Sequence, residues 1–193
     1  SHLIEEDYRG ERFKNHKSEL KGNNELLSIT QPEIIKDVHR AFLKAGADII
    51  ESNTFSANSI SQKDYDLSDY VKELNVQSVK IAREVAEEYS TPEKPRFVAA
   101  SIGPTNKTAS ISPDVMNPAY RDVTFDELVA TYKEQVETLA DCDVDIFLIE
   151  TIFDTLNAKA AIYAIKQVLK EKNKDIPIML SVTLSDKSGR TLS

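Results

Sequence analysis

Asp145-Ile146-Phe147-Leu148-Ile149-Glu150-Thr151-Ile152-Phe153-Asp154 decides how this chain is read, and Asp48-Ile49-Ile50-Glu51-Ser52-Asn53-Thr54-Phe55 repeats its plan. Each stretch runs a short apolar segment into a glutamate and then into small hydroxyl or amide residues. An asparagine follows each glutamate at the same interval, Asn58 after Glu51 and Asn157 after Glu150. Apolar runs this short, bounded by polar residues and followed by helical periodicity, predict buried parallel strands. Carboxylates at the carboxyl ends of such strands sit where α/β proteins place their ligands.

The rest of the chain alternates between the two periodicities. Residues 1–30 are polar and charged and are expected to form a loop segment, with a turn at Lys21-Gly22-Asn23-Asn24. Thr30-Gln31-Pro32-Glu33 has the pattern of a capping box with proline in the first turn. Ile34, Ile35, Val38, Phe42 and Ala45 then recur at helical spacing up to a stop at Gly46. A second helix is predicted over 68–88, with Val71, Leu74, Val79, Ala82, Val85 and Ala86 inward. A strand over 96–102 ends at Gly103-Pro104-Thr105-Asn106. A further capping box, Thr124-Phe125-Asp126-Glu127, opens a helix to about Ala140. Strand 145–150 leads into helix 155–172, and a strand over 177–184 leads into a polar tail.

Strict alternation of this kind implies an α/β fold with a parallel sheet and right-handed crossovers. Residues 31–193 supply four helix/strand units, whereas a complete (β/α)8 TIM-type barrel takes about 250 residues. Both ends read as cut, so the chain is expected to form about half of such a barrel. The alternative is a small open doubly wound sheet. Glu51 and Glu150 lie on alternate strands, which in a barrel contribute to one layer. They are therefore expected to approach a common pocket.

Composition narrows the function. The 193 residues carry a formal net charge of −8 and 40% hydrophobic residues, enough for a real core. With no cluster of Lys and Arg, nucleic acid and anionic membrane surfaces are not expected as partners. No apolar run approaches the roughly 20 residues that cross a bilayer, and no signal-peptide core opens the chain. A cytoplasmic location is expected. The single cysteine, Cys142, allows no internal disulfide and suits a reducing compartment.

Glu150 closes a strand with no other charge among its four predecessors and suits a ligand ammonium, which a carboxylate holds by charge-assisted hydrogen bonds. Asn53, Thr54 and the Gly103–Asn106 turn offer amides, hydroxyls and backbone N–H groups that suit a ligand carboxylate. The same residue types are ordinary in turns and caps. His2, His16 and His39 do not cluster, and His39 on its amphipathic helix is expected at the surface or half-buried. Cys142 precedes a strand and reads as structural. No Ser-His-Asp order, phosphate-binding loop, dinucleotide fingerprint or CxxC pair occurs. From residues alone, the chain offers a pocket for a small polar metabolite.

Several motifs in order carry a resemblance. They are Asp7-Tyr8-Arg9-Gly10-Glu11-Arg12-Phe13, Leu20-Lys21-Gly22-Asn23-Asn24, the run Ala45 to Phe55, Gly103-Pro104-Thr105-Asn106-Lys107-Thr108, Ser112-Pro113-Asp114-Val115, and the run Glu150 to Lys159. Together they resemble the N-terminal homocysteine-binding barrel of the cobalamin-dependent methionine synthases, over nearly the whole chain. The acid-tipped strand alone is shared with the wider homocysteine methyltransferases. The Gly103–Thr108 and Ser112–Val115 stretches favour the cobalamin branch.

The resemblance implies methyl transfer from methylcobalamin, recharged by 5-methyltetrahydrofolate, to homocysteine sulfur, giving methionine. It implies that Glu150 binds the homocysteine ammonium, that Thr54 lies in the amino-acid pocket, and that Asn53 and Ser101 are weaker contacts. It implies cobalamin- and folate-binding domains as partners. It also implies a zinc held by three cysteine thiolates, because a metal turns a thiol of pKa near 8.5 into a thiolate nucleophile. Those cysteines are expected beyond Ser193. Residues 1–193 are thus expected to be a partial homocysteine-binding domain that binds no zinc or cobalamin, carries no catalytic residue and is inactive alone. Open barrel edges are expected to favour self-association or marginal stability. The rivals are a betaine- or methylsulfonium-dependent homocysteine methyltransferase and a non-catalytic α/β binding module.

Overall fold

A computed structural model describes residues 3–184. Its centre is a four-stranded parallel sheet of β1 (Ile49–Glu51), β2 (Phe97–Ile102), β3 (Ile146–Ile152) and β4 (Ile178–Val182), in the order β1-β2-β3-β4. Each strand is laid beside its predecessor on the same side. With right-handed crossovers, sequential addition puts every connecting helix on one face of the sheet. A doubly wound sheet reverses its strand order partway and carries helices on both faces. The order therefore selects the partial barrel over the open doubly wound sheet.

The helices that cover the sheet are α3 (Pro32–Lys44), α5 (Val71–Tyr89), α6 (Phe125–Ala140) and α7 (Thr155–Lys172). Local chemistry sets their ends. Thr124 and Glu127 form the capping box at α6: Glu127 N–H donates to Thr124 Oγ1 at 3.2 Å and Thr124 N–H to Glu127 Oε2 at 2.7 Å. Asp154 caps α7 by accepting from the N–H groups of Leu156 (2.8 Å) and Asn157 (3.2 Å). Asn173, with φ 51°, ends that helix in the left-handed conformation. Leu128, Tyr132, Val136 and Leu139 of α6 pack with Ala160, Ala161, Ala164, Ile165 and Val168 of α7, and with Ala100, Ile102, Phe147 and Ile149 of the sheet. Each fully buried Leu or Ile in such a layer contributes about 1.5–3 kcal/mol.

Residues 1–30 depart from the expected loop, as far as residues 3–30 show. They contain α1 (Glu5–Arg9), a 3-10 turn (Asn24–Leu26) and α2 (Leu27–Thr30). Tyr8, Phe13, Leu20, Leu26 and Leu27 form a second core with Ile35, Leu67, Leu74 and Ile81. These apolar residues are too irregularly spaced to show a period, yet each is buried. Arg9 replaces missing helical hydrogen bonds by donating to the carbonyls of Phe13 (3.2 Å), His16 (2.7 Å) and Ser18 (2.8 Å). Glu25 is buried here, and its Oε1 accepts from Ser56 N–H at 2.9 Å; burial raises its pKa.

The expected capping box at Thr30 does not form. Thr30 is the last residue of α2, its hydroxyl donates to Leu26 O at 3.3 Å, and Gln31 is the N-cap of α3 without a side-chain bond. Proline does occupy the first turn. The inward face of α3 is also turned from that expected. Ile35, His39 and Leu43 are buried, whereas Val38 and Phe42 are 48% and 62% exposed. His39 is therefore neither at the surface nor half-buried. Its ring occupies a core position between apolar residues one helical turn away on either side.

Candidate functional site

The sheet has two unlike faces. Ile50, Val98, Ala100, Ile102, Phe147 and Ile149 face the helices. Alternation then puts Glu51, Ala99, Ser101, Leu148 and Glu150 on the other, concave face. The register sets Glu51 beside Ala99 and Ser101 beside Leu148, so Glu51, Ser101 and Glu150 are staggered along the strands, and the Ser101 hydroxyl reaches forward to Glu150 near their carboxyl ends.

Glu150 sits at an irregularity. The register of β3 on β4 shifts between Ile149 and Ile152, and Thr151 has φ 55°. A β-branched residue in the left-handed region is strained by about 1–3 kcal/mol. This bulge switches the phase of alternation. Leu148 and Glu150 face the concave side, while Ile152 returns to the helix-side core with Phe147 and Ile149.

An open cleft of about 550 Å³ lies against this end of the sheet, lined by Glu51, Ser52, Asn53, Ser101 and Glu150 together with Ile35, Val38, His39, Phe42, Ile49, Ile50 and Phe55. Among the described residues the lining contains two carboxylates and no Lys or Arg. Ser101, itself buried, donates its hydroxyl to Glu150 Oε1. Partial burial of its carboxyl and then the neighbouring charge of Glu150 hold Glu51 above the usual carboxylate range, although one side of its side chain is open to solvent.

The residues singled out from sequence divide here. Glu150, Ser101 and Asn53 line the cleft together, and Glu51 joins them as expected. Thr54 does not. It is fully buried, its hydroxyl donates to Ser101 O at 2.6 Å and lies 2.8 Å from Ser52 Oγ, and it ties the end of β1 to β2. The amide NH2 of Asn53 donates to Asn24 O (2.8 Å) and Ser28 Oγ (3.0 Å), so it also braces the N-terminal segment. Asn58 caps α4 (Ser59–Gln62), accepting from Ser61 N–H, whereas Asn157 lies in the first turn of α7 and braces the loop at Lys107 and Ala109. The matched spacing thus marks two helix starts rather than two ligand groups.

His39 was not expected in the site. It is 6% exposed, lines the cleft, and its Nε2 has no hydrogen-bond partner among the described residues. Burial pushes its pKa down to about 4. The only sequence signal for it was a polar residue within an apolar helical stripe. Gly103 is another residue that the motif search did not isolate from its turn. A Cβ there would lie 2.6 Å from Phe55 O and 2.8 Å from two Phe55 ring carbons. Its N–H also donates to Phe55 O at 3.0 Å. Gly103→Ala is expected to displace Phe55 from the cleft wall and to cost about 2 kcal/mol, within the range for overpacking, as read by chemical denaturation. Unchanged stability would mean that the turn gives way freely.

Cys142 is half-buried before the amino end of β3, with its Sγ donating to Thr138 O at 3.3 Å. It lies at the end of the strand opposite Glu150. No group of three or more His, Cys, Asp or Glu side chains able to hold a metal occurs among the described residues. A site of three thiolates needs donors this chain lacks, so its residues do not fit the zinc that the resemblance implies. No helix among the described residues is long and apolar enough to cross a membrane.

Fold and cleft define the class: a singly wound parallel α/β domain, part of a barrel, with carboxylates at the carboxyl ends of its strands. The chain belongs to the homocysteine S-methyltransferase family, whose family model matches residues 3–193. Among solved structures it is similar to the homocysteine methyltransferase MmuM from Escherichia coli. The metallated form superposes with a TM-score of 0.65 at 22% identity, over 83% of this chain and 55% of that one. For the oxidized form the values are 0.66, 22%, 86% and 57%. For the apo form they are 0.61, 23%, 89% and 59%. At such identity the likeness is one of fold. The chain spans less than two thirds of the length of these structures.

Proposed function

We propose that this chain is the substrate-binding part of an enzyme that methylates the sulfur of homocysteine to give methionine, with residues 1–193 forming part of the homocysteine-binding domain. One observation carries the proposal: Glu150, aimed by a strained bulge and braced by the buried Ser101 hydroxyl, lines a cleft with a second carboxylate and, among the described residues, no basic side chain. Such a lining favours a cation, and an α-amino acid brings one. In this reading Glu150 accepts hydrogen bonds from the ligand ammonium, Ser101 orients Glu150, and Asn53 contributes the edge of the pocket. Thr54 acts indirectly by holding the strand ends. Family membership supports homocysteine as the amino acid.

The finer proposal is that the methyl group comes from methylcobalamin, recharged by 5-methyltetrahydrofolate, on further domains. Its support is the Gly103–Thr108 and Ser112–Val115 stretches. The chain's own contribution is to bind and orient the amino-acid end. Cytoplasmic location and self-association across the exposed sheet edges belong to the same proposal. Ile49 at one edge strand and Met179, Leu180 and Val182 at the other expose apolar surface.

Calorimetry of the chain with L-homocysteine and with N-acetyl-L-homocysteine tests the binding role. Binding of the first and loss of the second are expected, because acetylation removes the charge that Glu150 receives. Equal binding of both would overturn the assignment. Turnover by a longer form of the chain with methylcobalamin, and none with betaine or a methylsulfonium donor, is expected for the donor. The reverse preference would assign the other branch.

A further inference from the structure

Five successive backbone carbonyls in the turn after β1 are each held by a donor from outside the turn. Asn53 O accepts from Ser78 Oγ at 2.9 Å, Thr54 O from Gln135 Nε2 at 2.9 Å, and Phe55 O from Gly103 N–H at 3.0 Å. Ser56 O accepts from Gln62 Nε2 at 3.0 Å and Ala57 O from Asn75 Nδ2 at 2.8 Å. Four of these donors are side chains, drawn from α4, α5 and α6, and all four are fully buried. A surface turn leaves such carbonyls to water; here buried amides and a hydroxyl replace the water.

We propose that Gln135 is a positioning residue of the cleft: from α6 it fixes the turn after β1, and through Thr54 it sets the Ser101–Glu150 pair that receives the ligand. The inference rests on the amino-acid reading of the cleft for the identity of that ligand. Two of the five held carbonyls depend on Gln135. Its Nε2 donates directly to Thr54 O and, at 3.2 Å, to Asn75 Oδ1, which aims the Asn75 amide at Ala57 O. The Thr54 hydroxyl in turn donates to Ser101 O at 2.6 Å, and the Ser101 hydroxyl donates to Glu150 Oε1. A series of hydrogen bonds, joined through Thr54 and Ser101, thus links the buried face of α6 to a carboxylate in the cleft. The same turn brings Asn53 and Phe55 to the cleft wall.

Residue type supports the assignment. Gln135 lies between Tyr132 and Leu139 on the buried face of α6. A leucine there would bury apolar surface without the desolvation of an amide. What a leucine lacks is a donor long enough to reach the turn. Tyr132, one helical turn earlier, serves the turn after β2 in the same way, its hydroxyl donating to Gly103 O at 3.1 Å. The helix therefore presents two donors, one turn apart, to the two turns beside the cleft. A wall fixed beforehand spares the ligand the cost of ordering it.

Amide hydrogen exchange and calorimetry with L-homocysteine test the role on the native chain, Gln135→Met and Val136→Ala. Gln135→Met keeps the side-chain length and removes both donated bonds. Val136→Ala truncates the next core residue of the same helix, so a merely structural role would make the two variants alike. The reporters are the Gly103 and Ala57 amides, which donate to Phe55 O and Thr54 O, with the Phe147 amide as reference in the sheet. In Gln135→Met the two turn amides are expected to exchange about fivefold faster relative to Phe147, and homocysteine affinity to fall about fivefold, the worth of one net hydrogen bond. In Val136→Ala both ratios should stay within about twofold of the native values, well short of that loss. An unchanged exchange ratio in Gln135→Met overturns the hold on the turn. A raised ratio with unchanged affinity overturns the positioning role and leaves the amino-acid reading intact. A native chain that binds no homocysteine overturns that reading and the positioning role together.

Discussion

Acidification from about pH 6.5 to pH 4 is expected to remove about 3 kcal/mol of stability through His39 alone. The ring is buried on α3 and its pKa falls from 6.5 to about 4. A depressed pKa means that the folded state binds the proton less readily than the unfolded chain. Stability from this group is then fully present above the unfolded value and is lost as pH falls through the folded one. A shift of about 2.5 units at 1.36 kcal/mol each gives the figure.

Other groups act elsewhere or oppositely. Carboxylates held low by partners, such as Glu5 through its backbone donors Leu20 and Lys21 and Asp66 through Ser18 and Lys17, stay charged to lower pH than ordinary carboxylates. Glu25 and Glu51, both held high, favour the folded state at acid pH and offset part of the loss. Comparison with His39→Leu isolates the histidine. Urea denaturation at both pH values should show the native chain losing about 3 kcal/mol more than the variant. Equal losses would sink the idea.

Glu150→Gln is expected to weaken homocysteine binding about tenfold while leaving the fold intact. The substitution keeps the shape and keeps an acceptor for the Ser101 hydroxyl, so the brace on β3 survives. It removes the charge, and a charge-assisted hydrogen bond of about 1.5–3 kcal/mol falls to a neutral one. Loss of about 1.4 kcal/mol corresponds to the stated factor. Thr54→Ser is the informative companion, since it retains the hydroxyl that bonds Ser101 O and should leave affinity nearly unchanged. Calorimetric titration of the two variants decides. If Thr54→Ser cost more than Glu150→Gln, the pocket would have to be redrawn around β1.

How much of this was legible depended on whether the signal was local. The bounds of α7 came directly from Thr155 to Lys172, because Asp154 and Asn173 encode its two ends through their own backbone chemistry. The capping box at Thr124 formed for the same reason. The identical-looking box at Thr30 failed because a preceding helical turn, stabilised by the N-terminal core, had already claimed Thr30. That core was invisible because Phe13, Leu20 and Leu26 have no shared period; only tertiary packing relates them. In the site, Glu150 was readable as a charge ending an apolar strand. Thr54 and Ser101 were not separable by type, since both are small hydroxyl residues at strand ends. Their alternation decided it: the Ser101 side chain faces Glu150, while the Thr54 hydroxyl is turned back onto the Ser101 carbonyl.

The left-handed turn at Thr151 has a consequence for how wet the site remains. A regular strand of the same sequence would direct Ile152 to the concave face, next to Glu150. A branched hydrocarbon there would strip water from the carboxylate and make its ionisation more costly. With the bulge, Ile152 is instead buried at 7% exposure under the helices, and the isoleucine is kept away from the carboxylate. One strained threonine thus sets the local dielectric of the cleft mouth, at a position where neither its own side chain nor that of Ile152 need touch the ligand.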